Sequence, residues 1–121
     1  ETRRELVEEK PEVVECFVNA SAIGWYNYLY GDNSAANALI LADNPEMSAD
    51  KLEYSLGTLK EYGSVDSGDA LELGIGAMTD ARFESFFKKM VDAGLFPADL
   101  DYKQAYTLDF VNKKVGMELR P

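Results

Sequence analysis

The chain has no histidine and a single cysteine, Cys16. Without an imidazole, no catalytic dyad or triad built on histidine can be drawn from these residues. With one thiol, neither an internal disulfide nor the usual zinc ligand sets can be assembled. One cysteine leaves the redox compartment open. Basic residues are also scarce: twelve Lys and Arg stand against twenty-two Asp and Glu, a net charge of −10. That balance repels phosphate backbones and anionic headgroups and leaves no basic stripe, which excludes nucleic acid as a main partner. Long apolar runs are missing as well. Stretches such as Ala35 to Ala42 fall well short of a membrane span, and the chain opens on charged residues with no signal-peptide pattern. Sustained alternation of period two is absent, apart from two or three residues near Leu71 to Leu73 that fit a very short strand.

What is present reads as helix. With 121 residues and 46% apolar content, the chain has the size of one domain with its own core. Thr2 followed by Glu5 has the form of a capping box for a short first helix ending near Glu9 or Lys10, and Pro11 suits the first position of the next. Val14, Phe17, Val18, Ser21, Trp25, Tyr28 and Leu29 then recur at spacings of three and four, the stripe of a long helix closed by Gly31. On that pattern Trp25 and Tyr28 belong to the core, Tyr26 and Tyr30 point elsewhere, and Cys16 acts as a small buried hydrophobe.

Asp32 to Ser34 offer N-cap oxygens to a third helix over the Ala-rich run, which Asn44-Pro45 breaks. Ser48 caps a fourth, in which Leu52, Ser55, Leu56, Leu59 and Tyr62 repeat before Gly63. Thr79 caps a fifth bearing Phe83, Phe86, Phe87, Met90 and Val91, closed by Gly94. Asp101 should cap a last helix carrying Tyr102, Ala105, Tyr106, Leu108 and Val111. The expected fold is all-α, one helical unit over 1–121, with the Phe83 stripe packed on Phe17 and Trp25.

Candidate chemistry is sparse. Asp66, Asp69 and Glu72 lack the alternating ligand spacing of a helix-loop-helix calcium site, so no metal is assigned. Asn19-Ala20-Ser21 matches a glycosylation sequon but falls inside a helix, where chance is the better account. The loop "DSGDALELGIGAMTD", Asp66 to Asp80, is more informative, because glycines before a capped helix let backbone N–H groups converge on a polar or anionic ligand. Gly74, Gly76, Met78 and Thr79 are its candidate ligand-binding residues. A G-x-G without a preceding strand and third glycine does not make a dinucleotide fingerprint, and a plain connector remains the alternative.

Three strings carry a family resemblance: "RELVEEKPEVVECFVNASAIGWYNYLYGD", "ANALILADNPEMSADKLEYSLGTLKEYG" and "VDSGDALELGIGAMTDARFESFFKKMVDAGLFPADLDYKQAYTLDFVN". From about Thr2 to Asn112 the chain resembles the C-terminal part of solute-binding proteins of bacterial ABC importers. The group is the one related to the yeast thiamine-pyrimidine synthase, itself similar to nitrate, sulfonate and taurine binders. The resemblance implies a helical fragment of a two-lobed α/β periplasmic-binding-protein fold, located in the periplasm or otherwise outside the cytoplasm. It implies a small organic ligand such as a thiamine-precursor pyrimidine, the importer's membrane subunits as partners, no cofactor and no catalysis. The sheets and most of the family's ligand contacts would then lie before Glu1, so self-association through uncovered helix faces is expected. Two alternatives stand beside this: an enzyme related to the pyrimidine synthase, and a free-standing acidic helical interaction module.

Overall fold

The computed structural model describes residues 1–121 and is all helix and turn, with no strand. Six α-helices follow in order: α1 Arg4–Glu9, α2 Pro11–Tyr30, α3 Ser34–Asp43, α4 Ala49–Glu61, α5 Ala70–Leu73 and α6 Asp80–Asp92. Two 3₁₀ turns, Tyr102–Ala105 and Met117–Leu119, punctuate an otherwise irregular C-terminal segment. α1 packs on α2, α3 on α4, and the last 3₁₀ turn returns onto α2.

Most boundaries follow from local chemistry. Pro11 opens α2, where its missing N–H costs nothing, and Gly31 closes it by donating its N–H to the Asn27 carbonyl at 2.8 Å. The Ser48 and Thr79 hydroxyls each accept from the backbone N–H three residues on, Lys51 and Arg82, each at 3.3 Å. After α6, Gly94 adopts a left-handed φ of 70°, and Leu95 N–H reaches back to the Met90 carbonyl, a glycine-closed helix end.

Four local expectations are corrected. The Thr2–Glu5 capping box does not form, because α1 starts at Arg4 with Arg3 at the N-cap and no side-chain bond there, one residue later than the box requires. Residues 71–73 belong to the short helix α5 and not to a strand. The last expected helix is only the 3₁₀ turn Tyr102–Ala105: Tyr106 turns extended, with φ −148° and ψ 163°. The segment is rich in aromatic and β-branched residues, which resist helix, and its rings are recruited by α6. Tyr106 stacks on Phe83 at 3.8 Å between centroids and Tyr102 on Phe87 at 4.5 Å, while Phe96 lies 6.5 Å from Phe87. The Phe83 stripe is thus covered by the C-terminal segment and not by Phe17 and Trp25.

The fourth correction concerns α2. Its inward face is Val14, Val18, Ala22, Tyr26 and Leu29, while Phe17 is 74% exposed, Trp25 41% exposed and Cys16 exposed. Tyr26, expected to point away, is fully buried. Gly116 explains part of this: a Cβ there would sit 2.8 Å from Tyr26 Cδ2, so only a glycine lets the returning backbone lie on that ring. The phenol oxygen is partnered too, which makes burial of a tyrosine tolerable.

The core is small. Tyr26, Leu29, Leu52, Ala70, Gly74 and Gly116 are the buried residues. The accessible surface of 8757 Å² exceeds by roughly a third the area of a compact monomer of this mass.

Candidate functional site

The loop between α5 and α6 is built as a series of turns tied to the C-terminal segment. Gly74 ends α5 with φ 98°, its N–H donating to the Ala70 carbonyl at 3.0 Å. Lys114 N–H donates to the Leu73 carbonyl at 3.1 Å, and a Cβ on Gly74 would stand 3.1 Å from Lys114 Cα. The glycine is required here by the approach of this chain's own backbone. Next, Ile75 N–H donates to the Tyr26 hydroxyl at 3.2 Å. Met78 is clasped at both backbone groups by one side chain: its N–H donates to Asn112 Oδ1 at 3.1 Å, and its carbonyl accepts from Asn112 Nδ2 at 2.7 Å. Asn112 holds this pose with a left-handed φ of 63°.

The four sequence-predicted residues therefore share one turn but divide in their tasks. Gly74 is buried against Lys114, Met78 has its backbone groups spent on Asn112, and the Thr79 hydroxyl caps α6. Gly76 alone is open, with nothing within 4 Å of where a Cβ would project.

Beneath the loop lies a polar hub that sequence reasoning missed. Arg120 donates through Nε to Asp66 Oδ2 at 2.8 Å and through Nη2 to Asp66 Oδ1 at 2.5 Å. Its Nη1 and Nη2 also reach the carbonyls of Leu71 and Ala70, and Nη2 reaches the Tyr26 hydroxyl at 3.4 Å. Tyr30 donates to Asp66 Oδ2 at 2.8 Å. The Asp66 side chain is only 3% exposed, so it is a buried carboxylate fully partnered by Arg120 and Tyr30. The bond to Asp66 holds the Arg120 guanidinium above its ordinary pKa. Burial, followed by the hydrogen bond to Asp66, does the same for the Tyr30 phenol. Asp66 is thus a structural anchor and is not free for a metal.

Two spaces adjoin the loop. A cavity of about 20 Å³ lies between α2 and the C-terminal segment, lined by Val18, Ala22, Leu73, Ile75 and Phe110 among others, with room for about one water. An open groove of about 650 Å³ runs along α6 past Asp69, Thr79, Arg82, Phe83, Phe86 and Lys89. Of the four predicted residues only Thr79 lines it. Arg82 and Lys89, seven residues apart on α6, supply cations, and the phenylalanines supply a flat apolar wall. Asp69 Oδ2 is buried without a hydrogen-bond partner and lies 3.7 Å from Arg82 Nη1. Such a groove can hold a polar or anionic organic molecule against one wall; Ser85, its remaining hydroxyl, has no histidine to activate it. The signal that could have found it was the Arg82–Phe86–Lys89 spacing, which puts two cations and a ring on one helix face of an acidic chain.

Comparison of the chain with protein-family models, with curated proteins and with solved structures found no match, so no family is assigned on that basis.

Proposed function

We propose that this chain is the C-terminal helical part of the solute-binding component of an ABC importer, acting in the periplasm or otherwise outside the cytoplasm. It contributes one wall of a cleft for a small organic ligand such as a thiamine-precursor pyrimidine, and its partners are the importer's membrane subunits. It carries no catalytic step. The observation that carries this reading is the extended sequence resemblance from Thr2 to Asn112, with "GIGAMTDARF" and "FPADLDYKQAYTLDFVN" as its most specific strings. The open groove beside Thr79 is consistent with it, because a cleft between two lobes presents only half its lining on either one. So is the unburied apolar surface of Leu95, Phe96 and Leu100, at 67%, 39% and 45% exposure. No helix is long and apolar enough to cross a membrane.

The discriminating experiment is to read the gene upstream of Glu1. Coding sequence for a signal peptide and an α/β lobe supports the binder. A histidine-containing site upstream supports the enzyme related to the pyrimidine synthase. A start codon immediately before Glu1 supports the free-standing acidic module and sinks the lead reading. The polar hub gives that third reading its one specific support, since Arg120 ties the C-terminal segment to α2 and α5 of the same chain.

A further inference from the structure

Positive charge is scarce in this chain, and its close ion pairs commit three cations elsewhere: Lys88 to Glu84, Lys113 to Glu15 and Arg120 to Asp66, at 2.5 to 2.6 Å. Two cations of α6 stand apart. Lys89 enters no ion pair, and Arg82 meets Asp69 Oδ2 only at 3.7 Å, a contact in which that oxygen gains no hydrogen bond. The guanidinium is drawn towards a carboxylate while leaving its N–H donors unused on it. Both cations line the open groove along α6, and Phe86 lies between them. Phe86 is four residues after Arg82 and three before Lys89, which puts the ring and both charges on one face of the helix. Over that stretch the helix rises about 10 Å. Phe83, one turn back, is stacked on Tyr106 at 3.8 Å, whereas Phe86 has no aromatic neighbour and is 55% exposed.

We infer that this face of α6 binds a small, flat aromatic ring bearing one acidic group, a carboxylate or a phosphate, with the ring on Phe86 and the acid between Arg82 and Lys89. Each part of that ligand answers a part of the groove. The planar fork of an arginine accepts two oxygens of one acid, and a lysine adds a mobile point charge that can reach either. A bare anion would use the cations and leave Phe86 wet, and an uncharged ring would use Phe86 alone. Asp69 sets the direction: its carboxylate stands at the Thr79 end of the groove, so the ligand's acid belongs towards Lys89. The net charge of −10 opposes any anion at a distance, but physiological salt screens exposed charges beyond about 8 Å, while the two cations act at contact. A space of about 650 Å³ is of the size that small organic ligands occupy. This binding face is the cleft wall of the importer reading and rests on that reading for its place, while the acid and the ring follow from Arg82, Lys89 and Phe86 alone.

The test is a titration of the 121-residue chain with benzoate, phenyl phosphate, benzyl alcohol and inorganic phosphate at constant ionic strength, followed by amide chemical shifts. Expected is saturable binding of benzoate or phenyl phosphate with a dissociation constant on the order of 1 mM, as suits a groove with one wall. The shifted amides should lie on α6 between Arg82 and Lys89. Benzyl alcohol and inorganic phosphate should bind roughly tenfold more weakly. Phe86→Ala, Arg82→Gln and Lys89→Gln should each weaken binding by roughly threefold or more. All three side chains are exposed, so the variants should keep the helical far-UV signal. A preference for benzoate assigns the acid as a carboxylate, and a preference for phenyl phosphate assigns it as a phosphate. Absence of saturation by about 30 mM overturns the inference. So does inorganic phosphate binding as tightly as phenyl phosphate, benzyl alcohol binding as tightly as benzoate, or binding that the three substitutions leave unchanged. The importer reading fails on different ground, a start codon immediately before Glu1. Ring-acid binding together with that start codon removes the importer and leaves the site, and an upstream lobe without such binding does the reverse.

Discussion

Arg120 grips Asp66 through two nitrogens across fifty-four positions of sequence, at 2.8 and 2.5 Å, and so pins the C-terminus beneath the loop that precedes α6. Removing the cation strands a carboxylate only 3% exposed. Arg120→Ala should therefore destabilise by about 3–5 kcal/mol, the range for breaking a buried pair on one side. Arg120→Lys should recover little, because a point charge cannot reproduce the fork that also reaches the Leu71 and Ala70 carbonyls. Urea unfolding curves of the two variants check this.

Asn112 provides a second, gentler lever on the same loop. Asn112→Ala removes both bonds to Met78 and places an alanine at φ 63°, so it pays in lost bonds and in strain. Asn112→Gly removes the bonds and relieves the strain. The alanine variant should be the less stable of the two by roughly 1 kcal/mol, and in both the Met78 amide should exchange faster with solvent than in the parent. Equal stabilities would mean that the left-handed backbone at 112 is not strained.

Tyr106 donates to Asp80 Oδ1 at 2.5 Å, and that bond, followed by burial, pushes its phenol up to about 12. The folded pKa lies above the ordinary value of 10.0, so the neutral phenol is favoured by folding. Its contribution is fully present below pH 10 and is lost as pH rises towards 12. A tyrosinate absorbance titration should show late-ionising phenols, of which Tyr106→Phe removes one and leaves that of Tyr30. The variant should also lose less stability than the parent over that window.

On α6, adjacent phenylalanines should behave oppositely. Phe87, half-buried and stacked on Tyr102, should cost about 2 kcal/mol on substitution by Ala, below the full-burial range because its ring is only partly covered. Phe86, 55% exposed, should cost within about 0.5 kcal/mol. A thermal melt of each variant decides it, and a Phe86→Ala loss as large as that of Phe87→Ala would mean that α6 is covered on both faces.

The sequence by itself determined the all-helical class and most helix ends. Pro11, Gly31, Ser48, Thr79 and Gly94 act on backbone groups within four or five residues, so their chemistry is complete in the local chain. It also marked Gly74 to Thr79 as an unusual turn, but not that Lys114 approaches Gly74 closely enough to require a glycine there. Only the tertiary structure decided which face of α2 is inward. Apolar size favoured Phe17 and Trp25, but burial went to Tyr26, whose hydroxyl is partnered by Ile75 and Arg120 and whose ring meets a bare Gly116. It likewise decided that Tyr102 and Tyr106 spend their rings on α6 instead of extending a helix, and that Asp66 is an anchor for Arg120. In each case the deciding partner lies tens of residues away, and no periodicity within one segment encodes a contact whose energy belongs to the meeting of two.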